Sequence, residues 1–191
     1  MNQTSSIFRR VSLAAAIVAA AGCGKAEPAG AITPRRMADA LYTVMAADRA
    51  VYTREVVDRL QDQESVIKAS EHFRDDKALP LPAQMFRMGA ETARKQSSGV
   101  TYALLSPWPI NKQNAARTAV EKAGLERIAA TGEPFYGEET LAGERWFTAV
   151  YADRAVTHAC VGCHNAHRDS PRHDFKQGEV MGGVVIRIAL K

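Results

Sequence analysis

Hydrophobic residues recur mostly at four-residue steps from Arg35 to Gln63, which is the spacing of one face of an α-helix. The apolar positions of this run are Met37, Leu41, Met45, Tyr52, Val56 and Leu60. Thr33-Pro34, just before the run, is typical of a helix N-cap followed by proline at the first helical position. The pattern predicts a long amphipathic helix, either continuous or broken near Ala46–Asp48, whose apolar side chains mostly pack in a core.

Shorter periodic runs, separated by proline and glycine, follow along the chain. The prolines of Leu79-Pro80-Leu81-Pro82 make residues 64–81 a predicted loop. Helices are predicted over Ala83–Lys95 and Asn114–Ala130, and strands over Val100–Leu105, Pro134–Thr140, Arg145–Ala152 and Val184–Ile188. Leu141–Glu144 is the expected hairpin connection, and Gly182-Gly183 predicts a bulge or a close backbone approach. Helices followed by strands in this order predict an α+β fold.

Composition and charge narrow the function classes. The chain has 191 residues, of which 46% are hydrophobic, and its formal net charge is +4. These values are ordinary for a globular domain with a core. Basic residues are interleaved with acidic ones, so no nucleic-acid-binding patch is predicted. No Ser/His/Asp constellation, phosphate-binding loop or carboxylate pair stands out, so we do not expect an enzyme.

The N-terminus has the features of a bacterial export signal. Arg9 and Arg10 precede the apolar run Val11–Ala21, which is too short to span a bilayer. Small residues then lie directly before Cys23, which resembles a lipoprotein signal. The alternative is an ordinary cleaved signal in which Cys23 has no special role.

The lipoprotein interpretation gives a domain organisation and a location. It divides the chain into a signal peptide over residues 1–22, a tether over residues 23–33 and a folded domain over residues 34–191. Cys23 would then carry lipid and anchor the protein to a bacterial membrane on the periplasmic side. This interpretation leaves two cysteines for other chemistry.

Those two cysteines lie in Cys160-Val161-Gly162-Cys163-His164, which is the pattern of covalent c-type haem attachment. Two thiols add across the two vinyl groups of one porphyrin. The two intervening residues, one of them glycine, let the backbone curl so that both sulfurs reach the same ring edge. The imidazole of His164 is then placed to bind the iron. The motif predicts haem c, and it agrees with the predicted export.

Three other interpretations of the motif stay open. A zinc site could use Cys160, Cys163, His167 and His173, although its spacing is shorter than in usual zinc fingers. A structural disulfide between the two cysteines is the simplest alternative. A thioredoxin-like redox pair is disfavoured because no βαβ pattern surrounds it.

The polar and basic segment Asn165–Gln177 also has two interpretations. It is either a solvated surface loop or a clamp over the haem propionates. In the second case Arg172, His167 or Lys176 would donate the hydrogen bonds.

Several segments together resemble a known family. They are Leu79-Pro80-Leu81-Pro82, Ser106-Pro107-Trp108-Pro109-Ile110-Asn111, Cys160–His164 with Asn165 and His167, Ser170-Pro171, and Gly178–Val184. In these segments the chain, over roughly Arg35–Leu190, is similar to bacterial PAS-like c-type haem domains. Such domains form the extracytoplasmic sensing part of chemoreceptors, sensor kinases and cyclases, and they also occur as stand-alone exported proteins.

The resemblance implies a fold and a set of haem ligands. It implies a PAS-like domain in which a long N-terminal helix and a central antiparallel sheet enclose covalent haem c. It also implies Cys160 and Cys163 as attachment residues and His164 as the proximal iron ligand. The sixth ligand differs within the family, so it cannot be transferred. The candidates for it are Met45 and Tyr52, then Met88 and His72, with an open or water-bound site as an equal alternative.

Three functions follow as hypotheses. The leading one is a redox- or ligand-sensing haem lipoprotein that passes its state to a periplasmic partner protein, because no transmembrane helix or output module follows the domain. The second is a monohaem electron carrier. The third is a zinc-bound or disulfide-bonded structural module without haem. The sequence leaves the oligomeric state open, with a homodimer as one alternative.

Overall fold

The computed structural model describes residue 1, residues 30–96 and residues 99–190. The chain divides into two units, Met1–Ala31 and Ile32–Lys191. Residues 2–22 of the predicted signal peptide, the predicted lipid site Cys23 and most of the predicted tether lie outside the described residues. Within the described part, no helix is both long enough and apolar enough to cross a membrane.

The second unit is an α+β fold, as the order of sequence patterns predicts. Over the described residues it contains α1 (Pro34–Val51), a π-helix (Tyr52–Gln63), β1 (Ala69–Ser70), β2 (Leu79–Pro80), α2 (Pro82–Gln96), β3 (Val100–Leu105), a 3₁₀ turn (Lys112–Asn114), α3 (Ala119–Thr131), β4 (Phe135–Leu141), β5 (Glu144–Arg154), α4 (His158–Ala166) and β6 (Val180–Leu190). The main sheet is antiparallel with strand order β3-β6-β5-β4, and β1 pairs with β2 in a separate parallel pair.

The main sheet is covered on both faces. Side chains alternate along its strands, so Tyr151 and Ile186 point to one face while Val150 and Val185 point to the other. The first face packs against α1 and α2, and the second packs against α3. The two core clusters are Ala38, Phe86, Ala149, Tyr151, Val184, Ile186 and Ile188 on one side, and Leu105, Leu125, Ile128, Val150 and Val185 on the other.

The long N-terminal helix begins as the sequence predicts and changes its geometry later than expected. The Thr33 side chain accepts a hydrogen bond from the Arg36 N–H at 3.1 Å, and Pro34 is the first helical residue. The helix is continuous through Ala46–Asp48, so the alternative of a break there is wrong. It instead widens into a π-helix at Tyr52. Helices of this type are rare and are usually short.

The third helix starts five residues later than its hydrophobic pattern suggests. Its N-cap is Thr118, whose side chain accepts from the Glu121 N–H, while the Glu121 carboxylate accepts from the Thr118 N–H. This reciprocal capping box fixes the start at Ala119, so the predicted start at Asn114 is wrong.

The hairpin and the last strand confirm the turn and glycine predictions. Ala142 and Gly143 both have positive φ, at 50° and 84°, which is the two-residue hairpin geometry between β4 and β5. The pairing of β5 with β6 shifts register at Asp153 and Arg154, opposite Gly182 and Val180. A Cβ on Gly182 would lie 2.6 Å from the Leu105 carbonyl oxygen, so the backbones approach closely there.

Candidate functional site

The Cys-x-x-Cys-His motif lies on a helix rather than in irregular chain. Helix α4 begins after Thr157, whose backbone is extended, and it contains Cys160, Cys163 and His164. Residues three and four positions apart share one face of a helix. The two cysteines and the histidine therefore lie on the same side of α4, which explains how the spacing brings the three groups together.

Both cysteines are free thiols with different surroundings. Cys160 is half-buried against the cluster of Ala155, Phe175 and Met181, with its sulfur 3.8 Å from the Thr157 hydroxyl. Cys163 is exposed. Although much of the residue is open to solvent, the surrounding protein partly desolvates its thiol. This desolvation, followed by the Glu71 carboxylate and Cys160, raises the pKa of the Cys163 thiol, so it is protonated at neutral pH.

The His164 imidazole is neutral and incompletely paired. Its Nδ1 atom is buried and has no hydrogen-bond partner among the described residues, and its ring packs edge-on against Phe175 with centroids 6.0 Å apart. Burial lowers the pKa of His164, and electrostatic interactions with Arg49 and with the neighbouring His167 lower it further. A neutral imidazole with an unpaired nitrogen is the form that binds metal ions.

The loop after α4 is held by side-chain hydrogen bonds. The Asn165 amide donates to the Phe175 carbonyl at 2.9 Å and accepts from the Phe175 N–H at 3.0 Å. His167 continues from the helix, with its N–H donating to the Cys163 carbonyl oxygen at 3.0 Å. These contacts fix Phe175 beside the His164 ring.

Arg172 lies in the same loop and is already paired. Its guanidinium donates to Asp174 at 2.6 Å and to Glu179 at 2.9 Å, and it lies over the rings of Trp108 and Phe175. The role of Arg172 toward haem propionates stays a prediction. It would require the guanidinium to share or leave these two carboxylates.

The candidates for a sixth iron ligand lie on different elements. Met45 packs at the edge of the core cluster under α1. The Tyr52 hydroxyl donates to the Pro80 carbonyl oxygen at 2.8 Å. Met88 lies on α2 with its sulfur 3.9 Å from Arg74, and His72 lies in the turn after β1. Each of these assignments stays a prediction.

Two residues that no sequence pattern singles out, Arg49 and Glu71, lie near the motif, and a third, Asp153, is paired with Arg49. Arg49 on α1 is close enough to affect the pKa of His164, and its Nη1 lies 2.6 Å from Asp153 Oδ1 on β5. Glu71 Oε1 lies 3.5 Å from His167 Nε2. In the sequence, Arg49 marks only the polar side of a helix, so no local signal points to its role.

A cavity of about 300 Å³ adjoins the Arg49–Asp153 pair. Tyr42, Tyr151 and Arg154 line it, and the Tyr42 hydroxyl donates to the Ala152 carbonyl oxygen at 3.0 Å. Burial raises the pKa of Asp153, and the Arg49 guanidinium opposes this rise. The end of α1 and the strand leading to α4 are thus joined by a largely buried polar contact.

The four residues of the zinc alternative do not form a cluster. Across residues 30–96 and 99–190, no three His, Cys, Asp or Glu side chains lie close enough together to hold a metal ion. His167 Nδ1 instead accepts from the Asp169 N–H, and His173 Nδ1 is hydrogen-bonded to the Asn165 carbonyl oxygen. His167 and His173 are therefore each hydrogen-bonded to backbone groups of the loop.

Comparison with known proteins places this fold and motif in a family. A family model described as Tll0287-like matches residues 33–189. The chain belongs to the Tll0287-like family. The match begins at the N-cap of α1 and ends one residue before the end of β6, so it contains α4 and all of the main sheet except that last residue. The family resemblance stated from the sequence is confirmed.

A solved structure shows the same fold. The crystal structure of the cyanobacterial haem protein Tll0287 superposes with a TM-score of 0.52 and 12% sequence identity, over 84% of this chain and 98% of that one. No curated protein matches this Tll0287-like chain in sequence.

Proposed function

We propose that the protein binds one haem covalently, with Cys160 and Cys163 as attachment residues and His164 as an iron ligand. The observation that carries this proposal is the common face of α4, which presents two free thiols and a neutral imidazole. The fold shared with the haem protein Tll0287 supports the same cofactor. When bound, haem supplies an iron that can change its oxidation state or bind a small ligand.

The residues around the motif fit this group. The protonated thiol of Cys163 and the half-buried thiol of Cys160 are available for thioether bonds, because neither is in a disulfide. Within the described part of the chain the buried Nδ1 of His164 has no hydrogen-bond partner, so the protein does not engage this imidazole at that atom and the ring suits the role of a cofactor ligand. Asn165 and Phe175 hold the imidazole ring in one orientation.

We propose that the domain is PAS-like and that its role is sensing. Arg49 supports this role because it acts on His164 electrostatically and also joins α1 to β5 through Asp153. A change of charge or ligation at the imidazole would alter the balance of this ion pair. The long helix would then shift relative to the sheet, and a periplasmic partner protein would detect the new position of the helix.

Electron transfer is a second candidate function, and one observation favours it. Cys163 is exposed, so a group attached there is reachable by a redox partner at the surface. In both candidate functions the protein is exported, anchored by lipid on Cys23 and not an enzyme.

The decisive experiment is production of the protein in cells with a working cytochrome maturation system. The expected result is an intact mass raised by one haem, together with a pyridine haemochrome spectrum of the c type. A purified protein without the added mass would overturn the proposal.

A second measurement separates the two candidate functions. The ferrous protein would be exposed to CO and to NO, and its visible spectrum recorded. A spectral change supports an exchangeable site and small-ligand sensing. An unchanged low-spin spectrum with a reversible electrode response favours electron transfer.

A further inference from the structure

Helix α1 has an apolar stripe on the side that faces away from the sheet. The stripe consists of Met37, Ala40, Val44, Ala47 and Val51, which alternate at steps of three and four residues. All five are exposed, with 40% of Met37, 60% of Val44 and 57% of Val51 accessible to solvent. No charged residue interrupts the stripe. Steps of three and four residues are the spacing of the seam between two paired helices.

The stripe is separate from the face that α1 uses in the core. Ala38, Leu41, Tyr42 and Met45 make the core contacts of the helix with the sheet. The helix is therefore apolar on two sides, whereas a surface helix usually presents one apolar face. The second apolar side indicates a partner that is itself a helix.

The stripe is complementary to itself in the antiparallel direction. Its larger side chains alternate with alanines. In an antiparallel pairing whose two-fold axis lies between Met45 and Ala46, Val44 of each copy lies against Ala47 of the other and Ala40 lies against Val51. Met37 lies level with Arg54 of the other copy, at the edge of this apolar contact. Small residues opposite larger ones let two helices approach closely and interdigitate.

Charges at the two ends favour the same arrangement. Arg36 lies at the N-terminal end of the stripe and Glu55 lies just beyond its C-terminal end, and both are exposed. Within the described chain neither side chain forms an ion pair. Antiparallel pairing brings each Arg36 level with Glu55 of the other copy, whereas parallel pairing would place like charges together.

We propose that two copies of this chain associate through an antiparallel pairing of their α1 stripes. The contact is isologous, so it closes as a dimer and does not propagate. Because a single helix face buries little area, we expect a reversible dimer with a dissociation constant on the order of micromolar. Such a dimer would place a second copy on the helix that carries Arg49.

The test is the oligomeric state of the purified full-length protein, followed by sedimentation over a wide range of concentrations. The wild-type protein should change from monomer to dimer as its concentration rises. Val44→Glu puts a charge at the centre of the contact in both copies and should weaken dimerisation at least about tenfold. The matched control is Ala123→Glu, an equal charge change at an exposed position on α3, which should leave dimerisation unchanged.

A charge exchange tests the direction of pairing. Arg36→Glu and Glu55→Arg should each weaken dimerisation several-fold, and the double variant should restore it. Circular dichroism and haem content, measured on every variant, separate loss of dimerisation from loss of fold or cofactor. A monomer at every concentration, a dimer insensitive to Val44→Glu, or a double variant that does not recover would each overturn the proposal.

Discussion

Arg49 on α1 donates a hydrogen bond to Asp153 on β5 over 2.6 Å, and the two residues are 104 positions apart in the chain. Both side chains are largely buried, with 12% and 13% of their surfaces accessible. Asp153 lies at the register shift where β5 ends, and α4 begins four residues after the end of that strand. The pair therefore joins the long helix to the segment that carries the candidate haem site.

Replacing Arg49 should destabilise the protein strongly. Arg49→Met leaves the Asp153 carboxylate buried without a counterion, so we expect a loss of about 3 kcal/mol in the free energy of unfolding, measured with urea. The control is Arg87→Met on α2, which removes an exposed pair with Glu91 and should change stability by no more than about 0.5 kcal/mol. Similar losses for the two variants would contradict the assigned role of the pair.

The opposite face of the sheet contains a second buried ion pair, between Glu121 and Arg187. Glu121 accepts from Arg187 at 2.6 Å and also caps the start of α3. Glu121→Ala should therefore cost about 3 kcal/mol, because it removes the cap and leaves Arg187 with fewer partners. Glu126→Ala, at an exposed position on the same helix, should have little effect on the urea midpoint. A small effect at both positions would show that the pair contributes nothing.

Acid should destabilise the fold through Glu139. Burial would raise the pKa of this carboxyl, but hydrogen bonds from Thr148, Thr118 and Arg187 outweigh it and hold the pKa below its usual value near 4.5. A depressed pKa in the folded state means that the stabilisation is complete above pH 4.5 and is lost as the pH falls below it. The melting temperature should therefore fall more steeply in acid for the wild type than for Glu139→Gln. Parallel curves would contradict this.

A variant that keeps only one of the two cysteines should have a haem spectrum different from that of the wild type. Cys163→Ala removes the thiol at the exposed end of the motif, so one thioether bond to Cys160 would remain. We expect intact mass to show bound haem and the pyridine haemochrome band to move away from the c-type position. Thr157→Ala, which alters only the neighbour of Cys160, is the control and should keep the c-type band. Loss of all haem in Cys163→Ala would mean that Cys160 alone cannot retain it.

Sequence periodicity predicted the elements whose contacts are local. The strand Val100–Leu105, the hairpin at Ala142 and Gly143, and the start of α1 at Pro34 all follow from side-chain alternation, turn chemistry or capping. The start of α3 was missed because the capping box at Thr118 outweighed an apolar pattern that begins earlier. The site was predicted only where its residues are adjacent in sequence. Arg49 and Asp153 meet through the packing of α1 on the sheet, which no local pattern encodes.

The glycine of the motif is not required by the fold. Gly162 lies inside α4, and a Cβ built there meets no atom within 4 Å. The motif alone suggests that Val161 and this glycine let the backbone curl, but the curl is an ordinary helical turn that alanine also adopts. Gly162→Ala should therefore raise the free energy of unfolding by roughly 0.5 to 1 kcal/mol, since alanine is the better helix former. The amount of covalently bound haem should stay unchanged.

Gly182→Ala is the informative contrast for this prediction. Its Cβ would lie 2.6 Å from the Leu105 carbonyl oxygen, so the backbones of β6 and β3 must move apart, and we expect destabilisation by at least about 1 kcal/mol. Urea unfolding of both variants, with haem content measured on the same samples, checks the two predictions. If Gly162→Ala folds normally but loses its haem, the glycine serves the approach of the porphyrin rather than the path of the backbone.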